Sequence, residues 1–254
     1  MALYGKIAVV TGAAMGIGRA ITEILLQNGC KVALLDMNEA AGNDLMEVLE
    51  KLYGEERTLF LQCNVESEEQ IKAALQKTVD TFGGIDILCN NAGILNEIMW
   101  EKTVSINLMG VIRVAYLTLE HMSKLNGGQG GVIVNTASIA GIEPIASSPV
   151  YTASKQGVVG FTRAMANAST ALEYGVRFNA ICPSFVETNL LVGINNRLGQ
   201  FSELDKNTLE SIRLLDVSEV AEAVLELVTD GTKNGEALMV FSDGKEYATF
   251  PSFL

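Results

Sequence analysis

The chain has 254 residues, 48% hydrophobic and 19% charged, a balance that suits one globular α/β domain and excludes a disordered or fibrous chain. With 30 acidic against 18 basic residues the formal charge is −12, so a nucleic-acid backbone would be repelled over most of the surface and is not an expected partner. The single histidine, His121, leaves too few imidazoles for an ordinary zinc site or a Ser-His-Asp triad; no metal is expected, and His121 reads as structural.

The first apolar run, Ile7–Val10, leads into Thr11-Gly12-Ala13-Ala14-Met15-Gly16-Ile17-Gly18-Arg19. This glycine-rich turn opens directly into a helical run from Ile17 to Asn28, stopped by Gly29. Glycine lets a backbone turn tightly against a pyrophosphate, and a helix start offers free N–H groups and a positive dipole end. Gly12, Met15, Gly16, Ile17 and Gly18 are therefore candidate dinucleotide contacts; a tight βα turn that binds nothing is the plain alternative. The second strand, Val32–Leu35, ends at Asp36, 18 positions after Gly18, where an acid accepts bonds from adenosine ribose hydroxyls. That carboxylate would repel a 2′-phosphate, and Met15 and Met37 stand where basic counter-charges would be needed. NAD is expected over NADP, the other reading of Asp36 being a helix-capping acid.

Further along, strand Leu59–Leu61 precedes Cys63, Asn64 and Val65. Ser67 with Gln70 forms a capping box for a helix running to Phe82 and ending at Gly83-Gly84. Strand Ile87–Cys89 is followed by Asn90-Asn91-Ala92-Gly93, and a helical run over Lys102–Lys124 carries Asn107 and His121. After the Gly127–Gly131 loop come strand Val132–Val134, Ser138, a helix over Tyr151–Glu173, strand Phe178–Ile181, the Pro183–Thr188 segment and a last strand, Leu238–Val240. Seven short, uniformly apolar strands alternating with helices predict an α/β fold, a single doubly wound Rossmann domain with a seven-stranded parallel sheet covered by helices on both faces. No linker or repeat divides residues 1–254.

Tyr151 and Lys155 lie four apart on one helix face. A phenol is too weakly acidic to serve as a base at neutral pH unless a neighbouring ammonium favours the phenolate. Ser138, just beyond its strand, is placed to hydrogen-bond the same substrate oxygen. The four cysteines, Cys30, Cys63, Cys89 and Cys182, include no C-x-x-C pair and read as buried free thiols of a reducing compartment. With no apolar stretch of roughly 18 residues and no signal-like N-terminus, a cytoplasmic protein without a membrane span is expected.

These motifs, in this order, resemble the short-chain dehydrogenases/reductases: Thr11–Gly18 their TGxxxGxG loop, Asn90–Gly93 their NNAG sequence, and Asn107, Ser138, Tyr151 and Lys155 their catalytic tetrad. The resemblance covers about Lys6 to Phe241. It implies that Asn91, Ala92 and Gly93 pack on the adenine-ribose side and that Cys63, Asn64 and Val65 border the adenine. By the same resemblance Pro183–Thr188, with Pro183, Val186 and Thr188, are expected to hold the nicotinamide carboxamide. The resemblance also implies that Lys155 binds the nicotinamide ribose and that Asn107 supports a water in a proton relay. Asn64 replaces the frequent Asp, and Ser184 the frequent glycine after the proline. A homodimer or homotetramer is implied, a homodimer foremost, with Lys102–Lys124 and Tyr151–Glu173 as the contact surface.

Substrate choice in such a fold lies on Glu187–Leu215, where Leu190, Leu191, Ile194, Leu198 and Phe201 recur at helical spacing. This stripe predicts either an apolar lid over a lipid-like alcohol or ketone or ordinary core packing. Stretches outside the shared motifs, among them Trp100-Glu-Lys-Thr, Pro149-Val-Tyr and Arg177-Phe-Asn-Ala-Ile-Cys-Pro, resemble the branch that oxidises the 15-hydroxyl of prostaglandins with NAD. Ser148 stands where that branch carries a glutamine contacting the reacting hydroxyl, so Ser148 and Leu191 join Ser138 and Tyr151 as substrate residues. The alternatives are a hydroxysteroid or other secondary-alcohol dehydrogenase of the same family and, in another class, a non-catalytic NAD-binding Rossmann protein.

Overall fold

In the computed structural model, which describes residues 3–204 and 213–251, one sheet runs through the chain in the strand order β3-β2-β1-β4-β5-β6-β7-β8. The strands are β1 (Ile7–Thr11), β2 (Lys31–Asp36), β3 (Thr58–Gln62), β4 (Ile87–Asn90), β5 (Gly131–Thr136), β6 (Val176–Pro183), β7 (Ala237–Phe241) and β8 (Gly244–Tyr247). All seven expected strands are present and parallel. The eighth pairs antiparallel with β7 through the two-residue Ser242-Asp243 turn. Its residues Gly-Lys-Glu-Tyr are largely exposed, so no apolar run marks it; the Asp243-Gly244 pair is its sequence signal.

Side chains of each central strand alternate between two cores, as the pleat requires. Ala8 and Val10 of β1 face helices α1 (Gly16–Gln27), α2 (Glu39–Tyr53) and α7 (Val217–Thr229), where Ile21, Leu25, Leu49 and Val224 are buried. Val9 faces the other way, toward α3 (Glu68–Phe82), α5 (Val111–Met122) and α6 (Pro149–Ala171), with Leu75, Val114, Met165 and Phe178. Gly42 is the packing point of α2, since a Cβ there would lie 2.1 Å from the Phe60 ring. The four cysteines are buried and free, and burial pushes the Cys63 thiol up to about 11.

The helix punctuation is mostly as the sequence reads. Gly83 closes α3 in the left-handed region, and Ser67 accepts from Gln70 N. The Gln70 side chain, however, accepts from Asn64 N instead of completing the box on Ser67. The expected Lys102–Lys124 helix is three pieces: α4 (Trp100–Val104), a π-helical turn over Ser105–Gly110, and α5. Among the described residues no helix is long and apolar enough to cross a membrane.

Candidate active site

The strand order reverses between β1 and β4, and both carboxyl ends open into one crevice, the place where doubly wound sheets bind ligands. Thr11 joins the two loops there: its Oγ1 accepts from Asn91 N at 2.9 Å and Ala92 N at 3.0 Å, while Asn91 Nδ2 donates to Thr11 O at 3.1 Å. Gly12 has φ +62, and a Cβ on it would meet Ala92 Cα at 2.9 Å. The first turn of α1 has neither a side-chain cap nor an acidic residue, so its N–H groups and positive dipole end are left for an anion. Asp36 closes this end, its carboxylate accepting from Ala14 N and Asn38 N, both at 2.9 Å. A cradle without side chains, an uncapped helix start and a carboxylate at the end of β2 fit a dinucleotide.

A cavity of about 500 Å³ runs from this loop to the start of α6. Gly12, Met15, Gly16, Ile17, Asp36, Met37, Cys63, Asn64, Val65, Asn91, Ala92, Gly93, Ser138, Ser148, Tyr151, Lys155, Pro183, Val186, Thr188 and Leu191 all line it. Gly18 and Asn107 do not. A Cβ on Gly18 would stand 2.0 Å from Gly12 O, so its lack of a side chain serves close packing under the loop. Asn107 lies in the π-helical turn behind the cavity; its Oδ1 accepts from Ile94 N and its Nδ2 donates to Ile94 O, both at 2.8 Å, and to Ser154 Oγ at 3.3 Å. A Cβ on Gly93 would come within 3.3 Å of Asn107 Oδ1 and 3.6 Å of Lys155 Nζ, so these three positions sit against one another.

Tyr151 and Lys155 project from one face of α6 and are buried. Lys155 Nζ donates to Thr136 O at 2.7 Å and lies 5.6 Å from the Tyr151 ring centroid. Ser138, in the loop after β5, accepts from Ala140 N at 3.2 Å and donates to Pro183 O at 3.5 Å; its hydroxyl pulls the Tyr151 phenol down, but burial dominates and pushes it up to about 12. Burial also lowers Lys155 to about 8. Burial sets both shifts, and neither includes a contribution from the other group.

The α6 helix starts in an unusual way. Ser148 is its N-cap but makes no side-chain capping bond; Glu97, from the loop after β4, accepts instead from Val150 N at 3.0 Å and Tyr151 N at 2.9 Å. The Ser148 hydroxyl is therefore uncommitted to its helix on the wall of the cavity. Glu97 escapes local sequence reasoning because the N–H groups it caps lie more than fifty positions away. The lid segment also departs from expectation. It forms short 3₁₀ turns at Ile194–Asn196 and Gly199–Leu204 rather than one helix, and residues 205–212 of the expected Glu187–Leu215 lid lie outside the described residues. Gly193 and Gly199, both at positive φ, break the helical period. Ile194 and Leu198 nevertheless pack on Tyr151 with Leu95, joined by Leu190 and Leu191.

The short chain dehydrogenase family model matches residues 6–199. The chain is 45% identical to rat 15-hydroxyprostaglandin dehydrogenase [NAD(+)], with 100% of this chain and 98% of that protein aligned. It is 46% identical to the human protein of the same name, over 99% and 98%. Among solved structures, levodione reductase superposes with a TM-score of 0.82 at 29% identity, covering 94% of this chain and 96% of its own. The chain belongs to the short-chain dehydrogenase family.

Proposed function

We propose that the protein oxidises a secondary alcohol on an apolar, lipid-like substrate to the ketone with NAD⁺, the 15-hydroxyl of a prostaglandin foremost. The observation that carries this reading is one cavity with the glycine cradle and Asp36 at one end and Ser138, Tyr151 and Lys155 at the other. The full-length likeness to NAD-dependent hydroxyprostaglandin dehydrogenases supports the substrate class. Gly12, Gly16 and the start of α1 hold the pyrophosphate; Asp36 takes the adenosine ribose and disfavours a 2′-phosphate. Cys63, Asn64, Val65 and the Asn91–Gly93 turn flank the adenosine half, and Pro183, Val186 and Thr188 the nicotinamide half. Held there, the nicotinamide would supply the hydride acceptor and, in its oxidised form, a positive charge.

In this reading the chain's own groups align and move the proton. Ser138 holds the substrate oxygen, and Tyr151 Oη accepts the hydroxyl proton. Lys155, anchored on Thr136 O, together with the positive charge of the oxidised cofactor, favours the phenolate against the burial that opposes it. Asn107 holds the Ile94 backbone and Ser154 beneath Lys155, placing that end of the proton relay. Ser148 and Leu191 shape the wall facing the alcohol, and residues 187–215 form the substrate lid of a single domain spanning 1–254. A cytoplasmic homodimer joined through α5 and α6 is the working state; the four free thiols and the exposed Met109 and Tyr116 side chains support it.

Formation of NADH from NAD⁺ by the purified protein tests the reading, with prostaglandin E2 offered beside a hydroxysteroid and a simple secondary alcohol. Prostaglandin-selective turnover is expected. Selective steroid turnover would keep the chemistry and overturn the substrate, and NAD binding without any turnover would leave a non-catalytic binding protein.

A further inference from the structure

Among the described residues only three charged side chains border the cavity: Asp36, Lys155 and Arg197. Asp36 belongs to the cofactor end and Lys155 to the proton relay, so Arg197 is the charge left without a role. It follows the Ile194–Asn196 turn and borders the part of the cavity walled by Leu95, Ile145, Leu190, Leu191 and Ile194. Its placement is fixed twice. Nη2 donates to Leu190 O at 2.5 Å and Val192 O at 3.0 Å, and its carbonyl accepts from Glu97 N at 2.8 Å. Glu97 in turn caps the turn of α6 that carries Tyr151, so one short chain of hydrogen bonds sets the position of Arg197 relative to Tyr151.

Stapling two carbonyls requires N–H donors but no charge. A guanidinium half-buried beside aliphatic side chains loses hydration that an anion would restore. No carboxylate among the described residues lies within ion-pair distance of it. With Nη2 engaged by both carbonyls, Nε–H and the Nη1 hydrogens remain as single charge-assisted donors for a carboxylate. A protein of net charge −12 repels anions in general, so an acidic substrate needs such a local cation to enter.

Building on the alcohol dehydrogenase reading above, we propose that Arg197 is a carboxylate anchor. The substrate class is then a long apolar monocarboxylate bearing a secondary hydroxyl, its acid end on Arg197 and its hydroxyl on Ser138 and Tyr151. The test is equilibrium binding of ricinoleate and methyl ricinoleate to the protein saturated with NADH, where neither ligand can be oxidised. The wild-type chain should bind the acid about tenfold or more tighter than the ester. Arg197→Met should remove most of that difference, and Arg197→Lys should keep part of it, because Lys carries the charge without the guanidinium's double hold on the Leu190 and Val192 carbonyls.

An acid-to-ester ratio that is the same in wild type and Arg197→Met overturns the proposal. So does a variant that weakens both ligands equally, which assigns Arg197 to holding the lid alone. The two readings fail separately: a preserved acid preference in a protein that oxidises no alcohol removes the dehydrogenase and keeps the anchor. Turnover of esters as readily as acids does the reverse.

Discussion

Tyr151 and Lys155 are both held in forms that burial dictates, and this has a measurable consequence. Lys155 sits near 8 in the folded protein against 10.5 ordinarily. Between those values the unfolded chain keeps a proton that the folded chain has already lost, so stability rises with pH across the window. Below it, the cost of the buried ammonium is present in full. Lys155→Met should therefore stabilise the protein most at about pH 7 and least at about pH 10, read as urea midpoints at the two values; a pH-independent difference would contradict the burial of the charge. At the other end of the cavity, Asp36→Asn removes the charge that a 2′-phosphate meets. The preference for NAD over NADP, as a ratio of kcat/KM, should fall about tenfold or more, and an unchanged ratio would remove Asp36 from cofactor choice.

At the scale of elements, the site depends on two junctions. The glycine loop closes on itself at Gly18, where a Cβ would stand 2.0 Å from Gly12 O. Both partners are backbone, so Gly18→Ala must move the loop. A destabilisation of about 1–3 kcal/mol, with NADH binding weakened by a larger factor than alcohol binding, is expected from calorimetry. The second junction is the remote cap on α6. Glu97→Ala leaves Val150 N and Tyr151 N buried without their acceptor, costing about 1–3 kcal/mol, and thermal melts should show it. Glu97→Gln, which keeps an acceptor oxygen, should recover part of the loss. The first junction was legible in the sequence because its signal is local: glycines at fixed offsets between a strand and a helix. The second was not, since a glutamate in a loop carries no mark of the N–H groups it will meet. The lid misled for a related reason. Its apolar spacing is helical, but Gly193 and Gly199 at positive φ turn the backbone out of the helix while leaving Ile194 and Leu198 on Tyr151.

For the whole molecule, seven of the eight strands announced themselves because buried parallel strands must be apolar on both faces. The edge strand β8 lacks that constraint and reads as polar loop. The surface offers one more expectation: Met109 and Tyr116 are each about half exposed, and Tyr116 meets Phe161 of α6 edge-on at 5.9 Å. If α5 and α6 join two copies, Tyr116→Asp should yield monomers by sedimentation at concentrations where the wild-type chain is dimeric.

The central claim is that a buried tyrosine, set between Ser138 and Lys155, takes the proton while a dinucleotide in the glycine cradle takes the hydride. Its most direct test is Tyr151→Phe, assayed for NAD⁺-dependent alcohol oxidation and, on the same preparation, for NADH affinity. A general base contributes about 10²–10⁴-fold, so turnover should fall by that order with NADH affinity unchanged. Turnover retained within a few fold would contradict the claim, whatever the affinity.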